Sequence, residues 1–393
     1  YLLRLSLSNF FSLTMPSKMI LLFVVPMFVG CCAILWFYWN HFKKPPKKKI
    51  FISADCWLCV FDLLTPSQLG HGIAMISHRF DFYVDEHFKT RKWALKFIQI
   101  HSKIGENGTK EVEIVNDGGE ALPIPQIEMP CKVIGFERIT IFYIDRNVIG
   151  FFRHFRQLFA STPINLTIDP YYNDRTLEFI SRNILPMLGK NIHGLELSAD
   201  VFHHLRQFVP PILNDCPSLG VVSFYDADCF TEFPADDSAN ASNGQAVAKW
   251  LFTPLQENDV PKVFKCALGM DVGFFASNIE DFKAAFASAS SPVNFIVSIW
   301  FPFYQSVVPF VLTNELTREQ LTLKRSDDHN EHFLLIRCPI VRDESKWTKW
   351  EEEAIGWRFY DQWNQIDIQI YNEDKVGDGL LDANPGPSDQ QQK

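Results

Sequence analysis

The chain has 393 residues, of which 47% are apolar and 36 are phenylalanine, and it carries a formal charge of −9. That length holds more than one compact unit, and that apolar content excludes a largely disordered protein. The acidic balance excludes a broad nucleic-acid footprint, which is basic, and nine loosely spaced cysteines do not form the dense set of a small disulfide scaffold.

A short segment, 1–18, leads into Met19–Trp39, which contains no charged side chain. As a helix this stretch spans about 30 Å of hydrocarbon, so it is expected to be a single transmembrane helix. Trp36, Tyr38 and Trp39 stand at its end, and a basic linker, 40–51, follows with Lys43, Lys44, Lys47, Lys48 and Lys49. Positive flanks stay cytosolic, which places the C-terminal body in the cytosol with the membrane contacted through residues 19–39. The alternative is a cleaved signal peptide, with 30–33 as its small-residue cleavage site and a secreted body. Glycosylation sequons begin at Asn107, Asn165 and Asn240 and would matter in that case.

Residues 52–95 read as a small helical module. Trp57, Val60, Phe61 and Leu64 recur at one-face helical spacing, with Asp55 as candidate N-cap. Thr65-Pro66 ends that helix and opens the next turn. Ile73, Ile76, Phe80 and Val84 form a second apolar stripe. Cys56 and Cys59 make a lone CxxC, read as two buried structural thiols rather than a metal site. The run Trp57-Leu-Cys-Val-Phe-Asp-Leu-Leu-Thr-Pro-Ser-Gln-Leu69, followed by Ile73-Ala-Met-Ile-Ser-His-Arg-Phe80 and Tyr83-Val-Asp-Glu-His-Phe88, resembles an F-box. The wording from Ile76 to Asp81 also resembles the expanded F-box families of plant-parasitic nematodes. The family's Leu-Pro opening stands here as Ile52-Ser53. The resemblance implies docking on the Skp-type adaptor of a cullin–RING ubiquitin ligase, through Trp57, Leu58, Phe61, Leu64, Pro66, Leu69, Ile73 and Ile76.

A linker, 96–130, is expected next from its glycine and proline content, with a short strand at Glu111–Val115. From 131 to 375 strand and helix patterns alternate. Strands are expected at 138–144, 165–168, 194–197 and 219–225, and helices at 148–159, 175–188 and 201–213. The strand centres are about 25–29 residues apart, the period of a leucine-rich-repeat-like solenoid. Cys216-Pro-Ser-Leu-Gly-Val-Val-Ser-Phe224 resembles the cysteine-containing class of those repeats. No glycine-rich phosphate loop follows any strand, which lowers a doubly wound nucleotide-binding alternative. Asp228–Gly244 is expected to be a polar surface loop. Further strands are expected at 262–268, 294–301, 333–336 and 366–371, with helices at 279–289 and 346–363. The last helix, rich in tryptophan, is expected to cap the solenoid. The tail, 376–393, is expected to be disordered.

No coherent catalytic set emerges: there is no nucleophile elbow, Walker loop or HExxH helix. His203 and His204 point about 100° apart on a helix, so they do not share a metal ion. Glu351–Glu353 reads as an exposed face. The sequence therefore implies an α/β chain that is a non-enzymatic adaptor without metal or cofactor, tethered to a membrane and selecting a target protein. The alternative is a non-ligase interaction protein or a secreted effector with a degenerate F-box.

Overall fold

The computed structural model describes residues 30–31, 33–34 and 52–380, except 65–67, 106–109, 117–118, 120, 123–131, 170–173, 228–229, 256–259, 268–271, 301–306, 327–331, 373–374 and 378–379. Most of the expected membrane span, the basic linker and most of the tail lie outside the described residues. Among the described residues no helix is long and apolar enough to cross a membrane.

The module begins with α1 (Ala54–Phe61). Its N-cap is Ser53, whose hydroxyl accepts from the Cys56 amide. Asp55 instead sits in the first turn, where a carboxylate complements the helix dipole. A wide helical turn, Gln68–Ile73, tightens into a 3-10 turn, Ala74–Ile76. Ser77 then caps α2 (His78–Thr90). Phe61, Leu69, Val84 and Phe88 are buried together, and Trp57 meets Phe80 edge-on at 4.7 Å. An Arg91–Asp62 ion pair at 3.2 Å ties the ends of the two helices. Phe88 packs on Trp93 at 5.0 Å, and Trp93 is the first residue of the sheet. Cys56 and Cys59 are both exposed free thiols, which corrects the expected burial: both lie off the stripe that carries Phe61.

Residues 96–130 were expected as a linker but carry strands. Here lie most of β1 (Trp93–Ile104), β2 (Lys110–Asn116) and β3 (Ala121–Leu122). Leu95, Ile98 and Ile100 of β1 join the core, so burial rather than the nearby glycines decides the structure. β4 (Val133–Ile141) follows, then α3 (Arg146–His154), α4 (Arg156–Ser161) and β5 (Ile164–Ile168). α5 (Asp174–Phe179) and α6 (Leu185–Leu188) lead to β6 (Ile192–Leu197), and α7 (Ala199–Phe208) to β7 (Val221–Ala227). α8 (Asn243–Leu251), β8 (Lys262–Ala267), α9 (Val272–Ser288) and β9 (Phe295–Trp300) continue the alternation. A hairpin that the sequence reading missed, β10 (Phe310–Asn314) and β11 (Glu319–Arg325), precedes β12 (His332–Pro339). α10 (Glu344–Gly356) and β13 (Gln365–Ile368) complete the chain.

All thirteen strands form one sheet, in the order β10-β11-β12-β9-β8-β7-β6-β5-β13-β4-β1-β2-β3. The fold is therefore mixed α/β. From β1 through β4, β13 and β5 to β9 every neighbour is parallel, and antiparallel strands close both edges. One face of the sheet carries Ile139, Leu166, Leu195, Val222, Phe264 and Val297, which share a core with Phe151, Phe159, Phe202, Trp250 and Phe282 of the crossover helices.

Two features depart from a plain stack of units. The last strand returns to insert between β4 and β5. The tryptophan-rich helix does not cap an end: α10 lies on the opposite face, where Trp347 and Ala354 pack on Ile296, Leu334 and Ile336. Glu351 of this helix is buried rather than exposed, because it faces the sheet and pairs with Lys324 at 2.5 Å. The segment expected as a polar loop is pinned as well. Arg206 donates to the Ala241 and Ser238 carbonyls at 2.7 and 2.8 Å, and Phe230 is buried.

Lys262 is buried under Trp250, where its ammonium donates to the Trp250 and Thr253 carbonyls at 2.5 and 2.6 Å. Trp250 lies in the last turn of α8 and Thr253 just beyond it, so the ammonium sits at the carbonyl end of the helix dipole. Burial pushes its pKa down to about 7. In the unfolded chain a lysine titrates near ~10.4. Between these values the unfolded state holds a proton that the folded state has released, so stability rises with pH across the window, by up to ~1.4 kcal/mol per unit. Lys262→Met is expected to flatten that rise in urea unfolding at pH 7 and 9.5. Equal slopes for the two proteins would show that Lys262 stays charged in the fold.

Candidate functional site

Two surfaces stand out, one on the helical module and one on the sheet. The module concentrates exposed apolar side chains. Leu63 is 85% exposed, Met75 71% and Ile76 63%, with Ile52, Val60 and Phe82 also exposed nearby. Met75, Ile76 and Ile52 stand near the amino-terminal end of α2, where Arg79 donates to the Ile52 carbonyl, and Leu63 stands near its carboxyl-terminal end, beside the Asp62–Arg91 pair. Single exposed apolar residues are ordinary, and several on one small module suit an interaction surface. Of the residues singled out from the sequence, Ile76 belongs to this surface. Trp57, Leu58, Leu64 and Ile73 are partly buried against the core, and Phe61 and Leu69 are fully buried. Those two hold the module together and present nothing to a partner. Pro66 lies outside the described residues. Leu63, Met75 and Phe82 were missed because they fall off the helical stripes, and in an exposed module the residues off the stripe face outward.

The second surface is the sheet face opposite the crossover helices. α10 covers its β8–β9–β12 part, and the rest shows a polar row. Gln99, Thr140, Asp367, Thr167, Glu196, Ser223, Lys265 and Ser298 are successive register partners from β1 to β9. Parallel strands covered on both faces are usually apolar throughout; this row is polar although Thr140, Ser223, Ser298 and Asp367 are buried and Gln99, Thr167, Glu196 and Lys265 half-buried. Thr167 donates to Glu196 at 3.4 Å and accepts from Gln365 at 3.4 Å.

The amino-terminal margin of this face is covered by the chain returning from α10. Arg138 donates to Gln365 and to the Tyr360 carbonyl at 2.7 and 2.6 Å, and Asn165 donates to the Trp363 carbonyl at 2.9 Å. Phe359 lies over Gly194, where a Cβ would stand 3.0 Å from its ring and 2.5 Å from Asn165 Oδ1. Only glycine admits that approach. Asn165 is buried, so the sequon beginning there is no acceptor in the folded chain. Lys265 donates to the Ile355 and Trp357 carbonyls at 3.1 and 2.5 Å, which anchors the C-terminal end of α10 over the sheet. Burial pushes its pKa down to about 8.

At the carboxyl-terminal margin Tyr225 and Tyr371 are about half exposed. Tyr225 donates to Asp169 at 3.1 Å, Tyr371 to Gln369 at 2.9 Å and Gln369 to Asp367 at 2.7 Å. Burial raises the pKa of both Glu196 and Asp367. None of Asp169, Glu196 and Asp367 is in an ion pair among the described residues.

A cavity of about 530 Å³ opens at the amino ends of β5–β8, walled by Val221, Val263, Trp350, Ala354 and Trp357. Among the described residues no cluster of three or more histidine, cysteine, aspartate or glutamate side chains could hold a metal. His203 is exposed, and His204 stands 2.7 Å from Asp174. Comparison with protein-family models, with curated proteins and with solved structures finds no match for this chain.

Proposed function

We propose that the chain is a non-enzymatic, membrane-tethered adaptor of a cullin–RING ubiquitin ligase. Its helical module docks a Skp-type adaptor and its sheet domain holds the target protein. The observation that carries this reading is the exposure of the apolar side chains Leu63, Met75 and Ile76 on a compact module of two helices joined by helical turns, whose sequence resembles an F-box. The sheet domain suits the second role. Each strand–helix unit from β5 to β9 lies beside the one before it, which supports reading it as a divergent leucine-rich-repeat-like array whose face is closed at one side by α10. Such surfaces recognise proteins by shape and scattered side chains.

The test is co-expression of the chain with a Skp-type adaptor, followed by size-exclusion chromatography. Co-elution at micromolar concentration is the expected result. Separate elution of two folded proteins would leave a chain that binds targets without recruiting a ligase.

A further inference from the structure

We infer that the carboxyl-terminal margin of this sheet face is a recognition site for an arginine side chain on an extended segment of the target protein, seated on Asp169 and Asp367 between Tyr225 and Tyr371. This names the target chemistry for the face assigned above, and it does not depend on the module docking a ligase.

Charge complementarity leads to this occupant. Asp169, one residue past β5, Glu196 on β6 and Asp367 on β13 stand on adjacent strands or at their ends, and none is ion-paired among the described residues. The cations of this face that lie nearest these strands are already spent on the protein itself: Arg138 on Gln365 and the Tyr360 carbonyl, Lys265 on the two carbonyls ending α10. They act on Asp367 and Glu196 without pairing with them, so the three carboxylates keep room for a cationic partner. An independent observation is Asp367 itself, which is only 8% exposed. Its Oδ2 accepts from Gln369, while its Oδ1 is buried with no hydrogen-bond partner. Buried polar atoms are nearly always paired, and an acceptor left open in a carboxylate cluster calls for a donor. Burial raises the Asp367 pKa, and the Gln369 bond and Arg138 offset this only in part.

The surroundings select the donor. Tyr225 and Tyr371 are both about half exposed and are joined to the carboxylates through Asp169 and Gln369. Aromatic faces beside carboxylates stack on a guanidinium, whose planar fork also reaches two acceptors at once. An ammonium is a compact, strongly hydrated point charge and uses such a site less well.

The test is fluorescence anisotropy of the full chain with three labelled peptides, built from repeated Gly-Arg, Gly-Lys or Gly-Gln pairs. Saturable binding of the Gly-Arg peptide is expected, with at least ~tenfold weaker binding of Gly-Lys and none of Gly-Gln. Asp169→Asn is expected to weaken the Gly-Arg peptide ~tenfold, and Tyr225→Ala several-fold. Asp169 and Tyr225 are accessible enough for these variants to fold, and circular dichroism checks that they do. A double variant, Asp281→Asn with Glu315→Gln, removes two exposed charges elsewhere and is expected to bind normally. The inference is overturned if the Gly-Arg peptide does not bind, if Gly-Gln binds equally, if Asp169→Asn has no effect, or if the remote double variant loses as much affinity as Asp169→Asn. No ligase component is in the assay, so its failure is separate from failure of adaptor docking.

Discussion

Replacing Leu63, Met75 and Ile76 together by aspartate is expected to abolish capture of a Skp-type adaptor while leaving the chain folded. The three side chains are exposed, so they contribute little to the fold, and surface substitutions typically change stability by no more than ~0.5 kcal/mol. In a docked complex each would leave water, which stabilises by roughly 1.5–3 kcal/mol for a fully buried side chain of this size. Three carboxylates in the same interface add an uncompensated desolvation cost. Loss of only two such contacts corresponds to more than ~100-fold in affinity. Phe61→Ala makes the contrast. Phe61 is fully buried against Phe80 and His87, and its truncation is expected to cost ~3–5 kcal/mol of stability. Paired binding and thermal-unfolding measurements separate the two variants. Should the triple variant bind as the wild type does, the exposed apolar surface is not the docking surface, whatever Phe61→Ala does.

That contrast marks what the sequence made legible. Helical spacing found the stripes through Phe61 and Val84, and those stripes are the module's core. The binding surface is their complement, and no spacing rule announces it. In the sheet domain, alternation placed β5, β6, β8 and β9 within a residue or two, because each is a short apolar run bounded by turn residues. It missed β1, whose buried Leu95, Ile98 and Ile100 sit beside a glycine- and proline-rich stretch that dominated the local composition. It also misplaced α10. Trp347 and Trp350 mark a buried helix side, but nothing local says which face of a distant sheet receives it. The polar row was out of reach for the same reason. Thr140, Thr167, Glu196, Ser223, Lys265, Ser298 and Asp367 come from seven strands far apart in sequence, each a polar residue flanked by apolar ones or by small residues. Only the register, and the insertion of β13 between β4 and β5, brings them into one line.

Glu319→Ala is expected to be among the most destabilising single substitutions in the chain, through the charge it leaves behind. Arg337 and Glu319 are 0% and 1% exposed and stand 2.6 Å apart. Arg337 also donates to the Ser291 carbonyl at 2.9 Å, and its guanidinium lies 5.2 and 5.3 Å from the Phe252 and Phe286 rings. The second oxygen of Glu319 accepts from the Val293 amide at 2.7 Å. The pair thus joins the hairpin strand β11 to β12 and to the turn that leads from α9 into β9. Removing the glutamate buries an unpaired guanidinium, which is expected to cost ~3–5 kcal/mol, a large share of the 5–15 kcal/mol typical of a folded domain. Arg337→Met alone strands the Glu319 carboxylate and is expected to cost a similar amount. The double variant Glu319→Leu, Arg337→Met removes both desolvation costs and is expected to recover most of the loss. Urea unfolding of the three variants decides it. If both single variants lose less than about 1 kcal/mol, the guanidinium is reached by water and the site is not the closed ion pair described. If the double variant stays as unstable as the singles, the bonds to Ser291 and Val293 hold the edge hairpin in register, and the pair acts through those backbone contacts rather than through its own attraction.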